Sequence, residues 1–400
     1  MRTTVTYLDN QATTPLDRRV LGAMLPYLTE MYGNPSSPHK QGRQAAEAVC
    51  VARQQVQTLL GARRQSEILF TAGATESNHL ALVGATTAVC QPGDHVVTTA
   101  IEHKSVLATC DRLARGGVTV TRVPVEPDGR VDPARIERAL TPRTSLVSVM
   151  HANNEIGTVQ PLEEIANILR GRGILLHTDA AQSIGTLCFS VDRLGVDLAS
   201  ISGHKIYGPK GVGALYVRHG VQIEPQVEGG GQERGLRAGT LNVPGIVGLG
   251  YAAHLLTTQR AQDAQRIFDL RERLRLLLAR ELPHARVNGN LEHRLPGNLS
   301  LTIPGMDSSD LIAALPDLAI SSGSACHTGQ TEPSHVLTAI GFNRTDARST
   351  LRLSLGRFTT PQDIHHAVAC LVSAIRSGRT SQSPFSYHTD DAAPAGSIRT

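Results

Sequence analysis

Short apolar segments alternate with segments of helical periodicity along the first 217 residues. Seven apolar segments are predicted to be short buried strands: Ile68–Phe70, His95–Thr99, Val118–Val123, Ser145–Met150, Ile174–Thr178, Leu198–Ile201 and Gly213–Val217. Apolar residues at helical spacing occur before and between them, at Arg43–Leu60, Thr75–Val89, Ser105–Arg115, Pro133–Leu140 and Pro161–Arg170. Strands and helices that alternate in this way build a mostly parallel sheet covered on both faces. The pattern therefore predicts an α/β fold.

The pattern changes after Gly245. Residues 246–282 are predicted to form two helices, in which Arg and Glu are interleaved among Leu and Ala. Strands Asn298–Ile303 and Thr350–Leu355 and helices Asp310–Leu315 and Pro361–Ser377 are predicted to follow, which indicates a smaller C-terminal α+β domain. We expect a large domain at residues 15–258, a small domain at 1–14 and 259–377, and a solvent-exposed tail at 378–400, where Ser, Thr, Pro and Ala dominate.

Composition argues against several classes of function. The formal net charge of +4 is too small and too evenly spread to indicate nucleic-acid binding. The six cysteines form no CxxC or Cys/His cluster, so neither a metal site nor a disulfide framework is predicted. The N-terminus lacks a signal-peptide pattern, and no segment approaches 18 uninterrupted apolar residues. We therefore expect a cytoplasmic protein with no metal, no membrane contact and no direct nucleic-acid contact.

Three polar motifs stand beside predicted strands. Lys205, one of only four lysines, follows Leu198–Ile201, and an amine at an apolar strand end can act as a nucleophile, although most loop lysines are merely solvated. Asp179 follows another strand, where it could pair with a ring nitrogen or simply cap a helix. The small-residue turn Thr71–Glu76 opens a helix whose free N–H groups could bind phosphate, although many helices open with Gly and Thr. Together the motifs predict a phosphate cup, a partner for a ring nitrogen and an amine for an aldehyde.

Nine longer motifs make the chain resemble a known family over nearly all of its length, up to about Ser377. They are Tyr7–Pro15, Tyr32–Ser36, Ala74–Asn78, Glu102–Lys104, Asn153–Gly157, Ser202–Gly211, Gly229–Gly235, Ser321–Cys326 and Leu353–Phe358. The chain resembles the cysteine desulfurases of the NifS/IscS type, in the class V aminotransferase group. The resemblance implies the fold-type I architecture of pyridoxal 5′-phosphate (PLP) enzymes, a homodimer and L-cysteine as substrate.

The same resemblance implies how the cofactor is held. Lys205 would bind the cofactor aldehyde, and Ala74, Thr75, Ser202 and His204 would bind its phosphate. Thr240 would reach that phosphate from the neighbouring subunit. His103 would stack on the ring and assist proton transfer. Asp179 would pair with the ring nitrogen and Gln182 with the phenolic oxygen. Asn154 and Arg352 would bind the substrate carboxylate, which suits the bidentate fork of arginine.

Cys326 is the residue that separates a desulfurase from a transaminase. The resemblance implies that its thiolate takes the sulfur of cysteine and carries it as a persulfide. An isolated cysteine is more often buried and inert, but Ser321–Ser324 and His327–Thr331 are small and polar, as a loop that carries a persulfide outward needs to be. His327 stands where many relatives have a small hydroxyl residue. It could tune the thiolate or be a solvated loop residue.

The sulfur acceptor is expected to be a partner protein. Tyr387–Thr400 does not resemble the tail with which housekeeping desulfurases hold their iron–sulfur scaffold. The stretch Cys326–Gln330 and the arginine-rich composition are similar to desulfurases that serve DNA phosphorothioation, and iron–sulfur cluster supply is the alternative pathway. A selenocysteine lyase and a class V aminotransferase are the alternative activities. A catalytically idle scaffold is a third class, which the joint retention of Lys205, Asp179, His103 and Cys326 disfavours.

Overall fold

The computed structural model describes residues 5–89, 94–322 and 333–381. Thirteen strands lie in these ranges: β1 (Thr6–Tyr7), β2 (Ile68–Thr71), β3 (His95–Thr99), β4 (Thr119–Val123), β5 (Thr144–Ser148), β6 (Leu175–Asp179), β7 (Leu198–Ser202), β8 (Gly213–Val217), β9 (Arg286–Val287), β10 (Asn298–Thr302), β11 (Leu318–Ala319), β12 (Ser321–Ser322) and β13 (Thr350–Ser354). Twelve α-helices lie there too: α1 (Arg18–Thr29), α2 (Lys40–Leu60), α3 (Ala74–Val89), α4 (Lys104–Arg115), α5 (Pro133–Ala139), α6 (Leu162–Leu169), α7 (Val191–Leu194), α8 (Val243–Glu281), α9 (Ser308–Ala313), α10 (His335–Ala339), α11 (Arg344–Arg348) and α12 (Pro361–Ser381).

The predicted, mostly parallel sheet is confirmed. Seven strands form it in the order β2-β8-β7-β6-β5-β3-β4. Strand β8 runs antiparallel to both of its neighbours, β2 and β7, whereas the other four pairs are parallel. Because β2 and β7 are both antiparallel to β8, β2 runs in the same direction as the parallel strands. The carboxyl ends of β2, β3, β5, β6 and β7 therefore lie at one end of the sheet.

Successive residues of the central strands enter opposite cores, as the two-residue repeat of a strand requires. Val96 and Leu146 pack in one core with α3 and α4. Val97 and Val147 pack in the other core with α2, α6 and the first half of α8. Both faces of the sheet are thus covered, which explains why its strands appear in the sequence as continuous apolar runs.

The strand predicted at Val118–Val123 does form, but the prediction that it is buried was wrong. Strand β4 forms at Thr119–Val123, but only Val123 is buried and the other four residues are exposed or half-buried. The reason is its place at the edge of the sheet, where β3 is its one neighbouring strand. Apolar content alone does not separate a central strand from an edge strand.

The prediction of two helices within residues 246–282 was also wrong. Helix α8 runs unbroken for 39 residues, because the polar stretch at 257–266 contains no Gly or Pro that would end a helix. Its buried residues belong to the core of the large sheet up to Leu256 and to a second core from Ile267 onward. Among the described residues, neither α8 nor any other helix is both long and apolar enough to cross a membrane.

The α+β character predicted after Gly245 is confirmed. Strands β12, β13, β10 and β9 form an antiparallel sheet in that order. Residues of this sheet pack against the second half of α8 and against α12 in the second core. Helix α12 continues to Ser381, four residues past its expected end at Ser377. The domain boundaries at 14/15 and 258/259 stay a prediction.

The N-terminal residues connect the two sheets. Strand β1 pairs in parallel with β11, and Leu8 O accepts a hydrogen bond from Ser354 N at 2.7 Å, in β13. A few residues later, Thr14 N donates to His204 O at 2.9 Å, just beyond β7. This path brings residues 9–13 to the carboxyl end of the large sheet.

Candidate active site

A cleft of about 1570 Å³ opens at the carboxyl ends of the parallel strands. Loops at that end carry ligand-binding residues in open α/β sheets. Ten of the twelve predicted site residues line the cleft: Ala74, Thr75, His103, Asn154, Asp179, Gln182, Ser202, His204, Lys205 and Arg352. The structure therefore brings together nearly the whole set expected from the sequence.

The predicted phosphate turn lies between β2 and α3. Helix α3 begins at Ala74, so the N–H groups of its first turn are not used within the helix. Glycines make the turn compact: a Cβ on Gly213 would lie 2.7 Å from Gly73 Cα. A Cβ on Gly73 would lie 3.9 Å from Ser202 Oγ. The serine hydroxyl is thus next to the turn, as shared binding of one phosphate requires.

Lys205 and His204 follow β7 in a short 3₁₀ turn. The Lys205 ammonium donates hydrogen bonds to the main-chain oxygens of Gln11 and of Ala12, the latter at 2.9 Å. His204 Nδ1 lies 3.1 Å from Thr13 Oγ1. Burial, helped by the charges of Lys205 and Lys210, lowers the pKa of His204 to about 4. His204 is therefore a neutral hydrogen-bonding group at pH 7.

Asp179 ends β6 and is held by two donors. Its Oδ2 accepts from Asn78 Nδ2 at 2.7 Å, and its Oδ1 accepts from Ala181 N at 2.9 Å. Asn78 is fully buried and also donates to Ser105 Oγ at 2.9 Å. Sequence reasoning gave Asn78 no role, yet it lies four residues after Ala74, on the same face of α3 as the phosphate turn. That spacing was the signal that could have identified it.

His103 caps the N-terminus of α4 and faces the cleft. Its Nδ1 accepts from Ser105 N at 3.2 Å, so the neutral ring carries its proton on Nε2. The walls of the cleft lower the pKa of His103 by desolvation, and Lys205 and Lys104 lower it further although Asp179 opposes them. The ring is neutral at pH 7 and can exchange a proton.

Arg352 lies in β13 at the other side of the cleft and is 2% exposed. Its Nη1 donates to Asn154 O at 3.0 Å, and its Nη2 donates to Asp9 Oδ1 at 2.7 Å and to Ser321 Oγ at 3.2 Å. Its buried Nε has no hydrogen-bond partner among the described residues. A buried donor without a partner costs free energy, and a substrate carboxylate is a suitable acceptor for it.

Two buried glutamates stand beside these residues and were missed from the sequence. Glu102, next to His103, accepts from Thr99 Oγ1 at 2.7 Å and from Met150 N at 2.9 Å, and burial raises its pKa to about 8. Glu155, next to Asn154, lines the cleft, and burial raises its pKa to about 7. Both belong to motifs that were noted, but Met150, which contacts Glu102, and Ser334, which contacts Glu155, come from distant parts of the chain.

Gln182, one of the ten residues that line the cleft, donates from Nε2 to Gln11 O at 3.1 Å. Thr240 is exposed and does not line the cleft of its own chain, so its role stays a prediction. Cys326 and His327 lie outside the described residues.

Comparison with known proteins identifies the family. The family model described as Aminotransferase class-V matches residues 6–366. This chain belongs to the class-V aminotransferase family. The cysteine desulfurase IscS of Anaeromyxobacter sp. (strain Fw109-5) is 52% identical to it over 373 residues, which cover 92% of each chain.

Solved structures support the same family. A NifS-like protein superposes with a TM-score of 0.88 at 38% identity, over 94% of this chain and 100% of the other. SspA in complex with cysteine superposes with a TM-score of 0.80 at 38% identity, over 88% of this chain and 99% of that one. These likenesses confirm the fold-type I architecture predicted for this family member.

The family's cofactor is PLP, and the residues of the cleft fit it. The glycine-lined turn before α3 leaves room and N–H donors for a phosphate. Asp179 is a buried carboxylate fixed by Asn78, as a partner for a protonated ring nitrogen must be. Lys205 supplies an amine in the same cleft. The chemistry of this donor set is that of a PLP site.

Proposed function

We propose that this protein is a cysteine desulfurase, which converts L-cysteine to L-alanine and retains the sulfur as a persulfide on Cys326. The observation that carries the proposal is that Lys205, Asp179 and Arg352 line one cleft. A relative named cysteine desulfurase, 52% identical over 92% of this chain, supports the reaction. The solved relative in complex with cysteine supports the substrate.

The residues divide into those that hold the cofactor and those that hold the substrate. Ala74, Thr75, Ser202 and His204 would hold the phosphate, Asp179 and Gln182 would hold the ring, and Lys205 would bind the aldehyde. When bound, PLP draws electrons from the substrate and so weakens the bonds next to its amino group. Arg352 orients the substrate carboxylate through the donor that now lacks a partner, and Asn154 lies against it.

Cys326 carries out the sulfur-transfer step. Its thiolate attacks the sulfur of the substrate, so that an S–S bond forms while the C–S bond of the substrate breaks. The electron pair of the broken bond stays with the substrate carbon, which then takes up a proton to give alanine. His103 is placed to hold a proton at Nε2, because its Nδ1 accepts the Ser105 N–H.

The function is tested by product analysis of the wild-type protein. With PLP, L-cysteine and a thiol reductant, we expect alanine and sulfide in equal amounts over many turnovers. An aminotransferase would instead form a keto acid from the substrate, and a selenocysteine lyase would release alanine from L-selenocysteine but not from L-cysteine. Chromatography of the amino acids and a colorimetric sulfide assay distinguish the three. Absence of alanine from the L-cysteine reaction would contradict the proposal.

The working unit in this proposal is a homodimer with a composite site. Thr240 is exposed and lies outside its own chain's cleft, so it can contact a cofactor phosphate that is bound in the cleft of the other subunit. The segment before it is fastened near the phosphate turn: Arg237 Nε donates to Glu76 Oε1 at 2.8 Å, and Glu76 Oε2 accepts from Ala72 N at 2.9 Å. These contacts hold Arg237 beside the phosphate turn of its own chain, three residues before the exposed Thr240.

Mixed dimers test the composite site. A Lys205→Ala chain paired with a Thr240→Ala chain should have both lesions in one cleft and none in the other. We expect the mixture to have about half of the wild-type activity per dimer, well above either parent, because one intact site remains. Differently tagged chains, co-purified as heterodimers, allow the measurement. A heterodimer no more active than its parents, or a fully active monomer by light scattering, contradicts the arrangement.

The persulfide is passed on to a cysteine of a partner protein. A cytoplasmic location suits this chemistry, because the nucleophile must remain a reduced thiolate between turnovers. DNA phosphorothioation is the pathway that the sequence favours, with iron–sulfur supply as the alternative. The net charge of +4 is too small and too evenly spread to support direct contact with DNA.

A further inference from the structure

Glu155 is a buried carboxyl that the reaction described above does not use. Its side chain lines the cleft, where the positive charges of Arg352 and Lys104 act on it. Burial of a carboxyl costs free energy, and it raises the pKa of Glu155 to about 7. A group that costs stability and lies beside the substrate-binding residues needs a reason beyond folding.

The partner of Glu155 is Ser334, whose hydroxyl donates a hydrogen bond to Glu155 Oε2. The same hydroxyl accepts from Val336 N at 3.1 Å and from Leu337 N at 3.3 Å, which caps helix α10. A serine hydroxyl has one proton and two lone pairs. Because both lone pairs serve α10, the proton is left for Glu155, and the direction of the hydrogen bond is fixed.

Ser334 also lies close in sequence to the proposed nucleophile, Cys326. It follows Cys326 by eight residues, and Ser321 precedes Cys326 by five. Ser321 is tied to the substrate-binding side too, because its Oγ accepts from Arg352 Nη2 at 3.2 Å and donates to Asp9 Oδ1 at 2.8 Å. Both flanks of the nucleophile's segment are therefore attached to the pair that binds the substrate carboxylate, one through Arg352 and the other through Glu155.

The C-terminal flank is held by a second contact as well. His335 Nε2 lies 2.9 Å from the main-chain oxygen of Glu102, and Glu102 is the residue before His103. Loss of the Glu155 link would therefore release one of two contacts that hold the start of α10 against the cleft.

We propose that Glu155 and Ser334 are positioning residues for sulfur transfer: their hydrogen bond holds the C-terminal flank of the Cys326 segment beside the Asn154–Arg352 pair. This inference rests on the proposed desulfurase function. It assigns the pair to the transfer of sulfur and not to the binding of cysteine. The α10 cap itself needs only the lone pairs of Ser334, so the carboxyl of Glu155 is not required for it.

The test uses the PLP-loaded full-length protein and the variants Glu155→Ala, Ser334→Ala and the double variant. We expect each to slow single-turnover formation of the Cys326 persulfide by roughly 10- to 100-fold, because small displacements of a reacting group cost that much. The double variant should be no slower than the singles, since both remove one link. The Kd for L-cysteine, measured from the cofactor absorbance, should change by less than about twofold, since Arg352 and Asn154 keep their contacts.

Matched controls separate positioning from stability. Glu155→Gln keeps an acceptor oxygen and Ser334→Thr keeps the hydroxyl, so both should recover most of the rate. Asn343→Ala removes the equivalent cap of the next helix, α11, where Asn343 Oδ1 accepts from Asp346 N at 2.8 Å, and should transfer sulfur normally. The rate of alkylation of Cys326 is measured by peptide mass spectrometry against the exposed Cys50 of the same molecule. It should change severalfold in Glu155→Ala and in Ser334→Ala, and stay near the wild-type rate in the three control variants.

Several outcomes would overturn the inference. They are a wild-type transfer rate in both alanine variants, a loss of cysteine affinity as large as the loss of rate, or an equal loss of rate in Asn343→Ala. In each case the wild-type protein still makes alanine from cysteine, so the proposed function stands. A wild-type protein that makes no alanine refutes the proposed function instead.

Discussion

Replacing Cys326 with alanine should abolish sulfide release while L-cysteine still binds. The variant keeps Arg352 and Lys205, so cysteine should still alter the cofactor absorbance with nearly the wild-type affinity. No thiolate remains to take the sulfur, and loss of a nucleophile typically lowers turnover by on the order of 10³-fold or more. The measurements are sulfide and alanine production and a spectral titration with L-cysteine.

The other cysteines provide the controls for this experiment. Cys188 is exposed and Cys370 is half-buried beside His366, with its Sγ 3.4 Å from His366 Nε2. Neither lines the active-site cleft, and burial raises the pKa of Cys370, which disfavours its thiolate. Cys188→Ala and Cys370→Ala should therefore remain active. Desulfuration by Cys326→Ala at close to the wild-type rate would show that the nucleophile has been assigned wrongly.

Replacing Lys205 with alanine should remove the covalent attachment of the cofactor. We expect the yellow colour of the purified protein to be lost on dialysis, and activity to fall by on the order of 10³-fold or more, because no other amine replaces the lysine. The fold should persist: the side chain's two main-chain hydrogen bonds, to Gln11 and Ala12, are worth only about 1 kcal/mol each. The melting temperature of Lys205→Ala, compared with that of the wild type, tests whether the fold persists.

Lys210 and Lys104 are the matched controls for Lys205, because both line the same cleft. Borohydride reduction of the wild-type holoenzyme, followed by peptide mapping, should place the pyridoxyl label on Lys205. Lys210→Ala should keep that label. Recovery of the label on Lys210 or Lys104 would overturn the assignment, whatever the activities of the variants are.

Residues at strand ends could be brought together from the sequence alone. Asp179 ends β6 and Ser202 ends β7, and the alternating pattern predicted that these strands lie in one parallel sheet. Because carboxyl ends of parallel strands meet, the two side chains had to be neighbours. The same reasoning failed for β4, since nothing in the composition of a strand states whether a second strand covers its outer edge.

Contacts between distant segments could not be foreseen. Glu155 is explained only by Ser334, 179 residues later, and Lys205 contacts main-chain oxygens near the N-terminus that carry no side-chain signature. The prediction of two helices in place of α8 was wrong, because the polar stretch at 257–266 lacks any Gly or Pro that would end a helix. The proposed role of Thr240 depends on a second subunit, and the sequence pattern of a single chain does not indicate how two subunits pack.

The N-terminal path between the two sheets has a consequence for biosynthesis. Leu8 and Asp9 are translated long before their partners, Ser354 and Arg352, which lie about 345 residues later in the chain. At roughly 5–20 residues per second, about 350 residues take some 20–70 s to be translated, so the first strand waits that long for its partners. The side of the cleft that Arg352 lines can therefore assemble only after β13 has been translated. Until then, the cleft that Lys205 lines lacks the guanidinium that contacts Asn154.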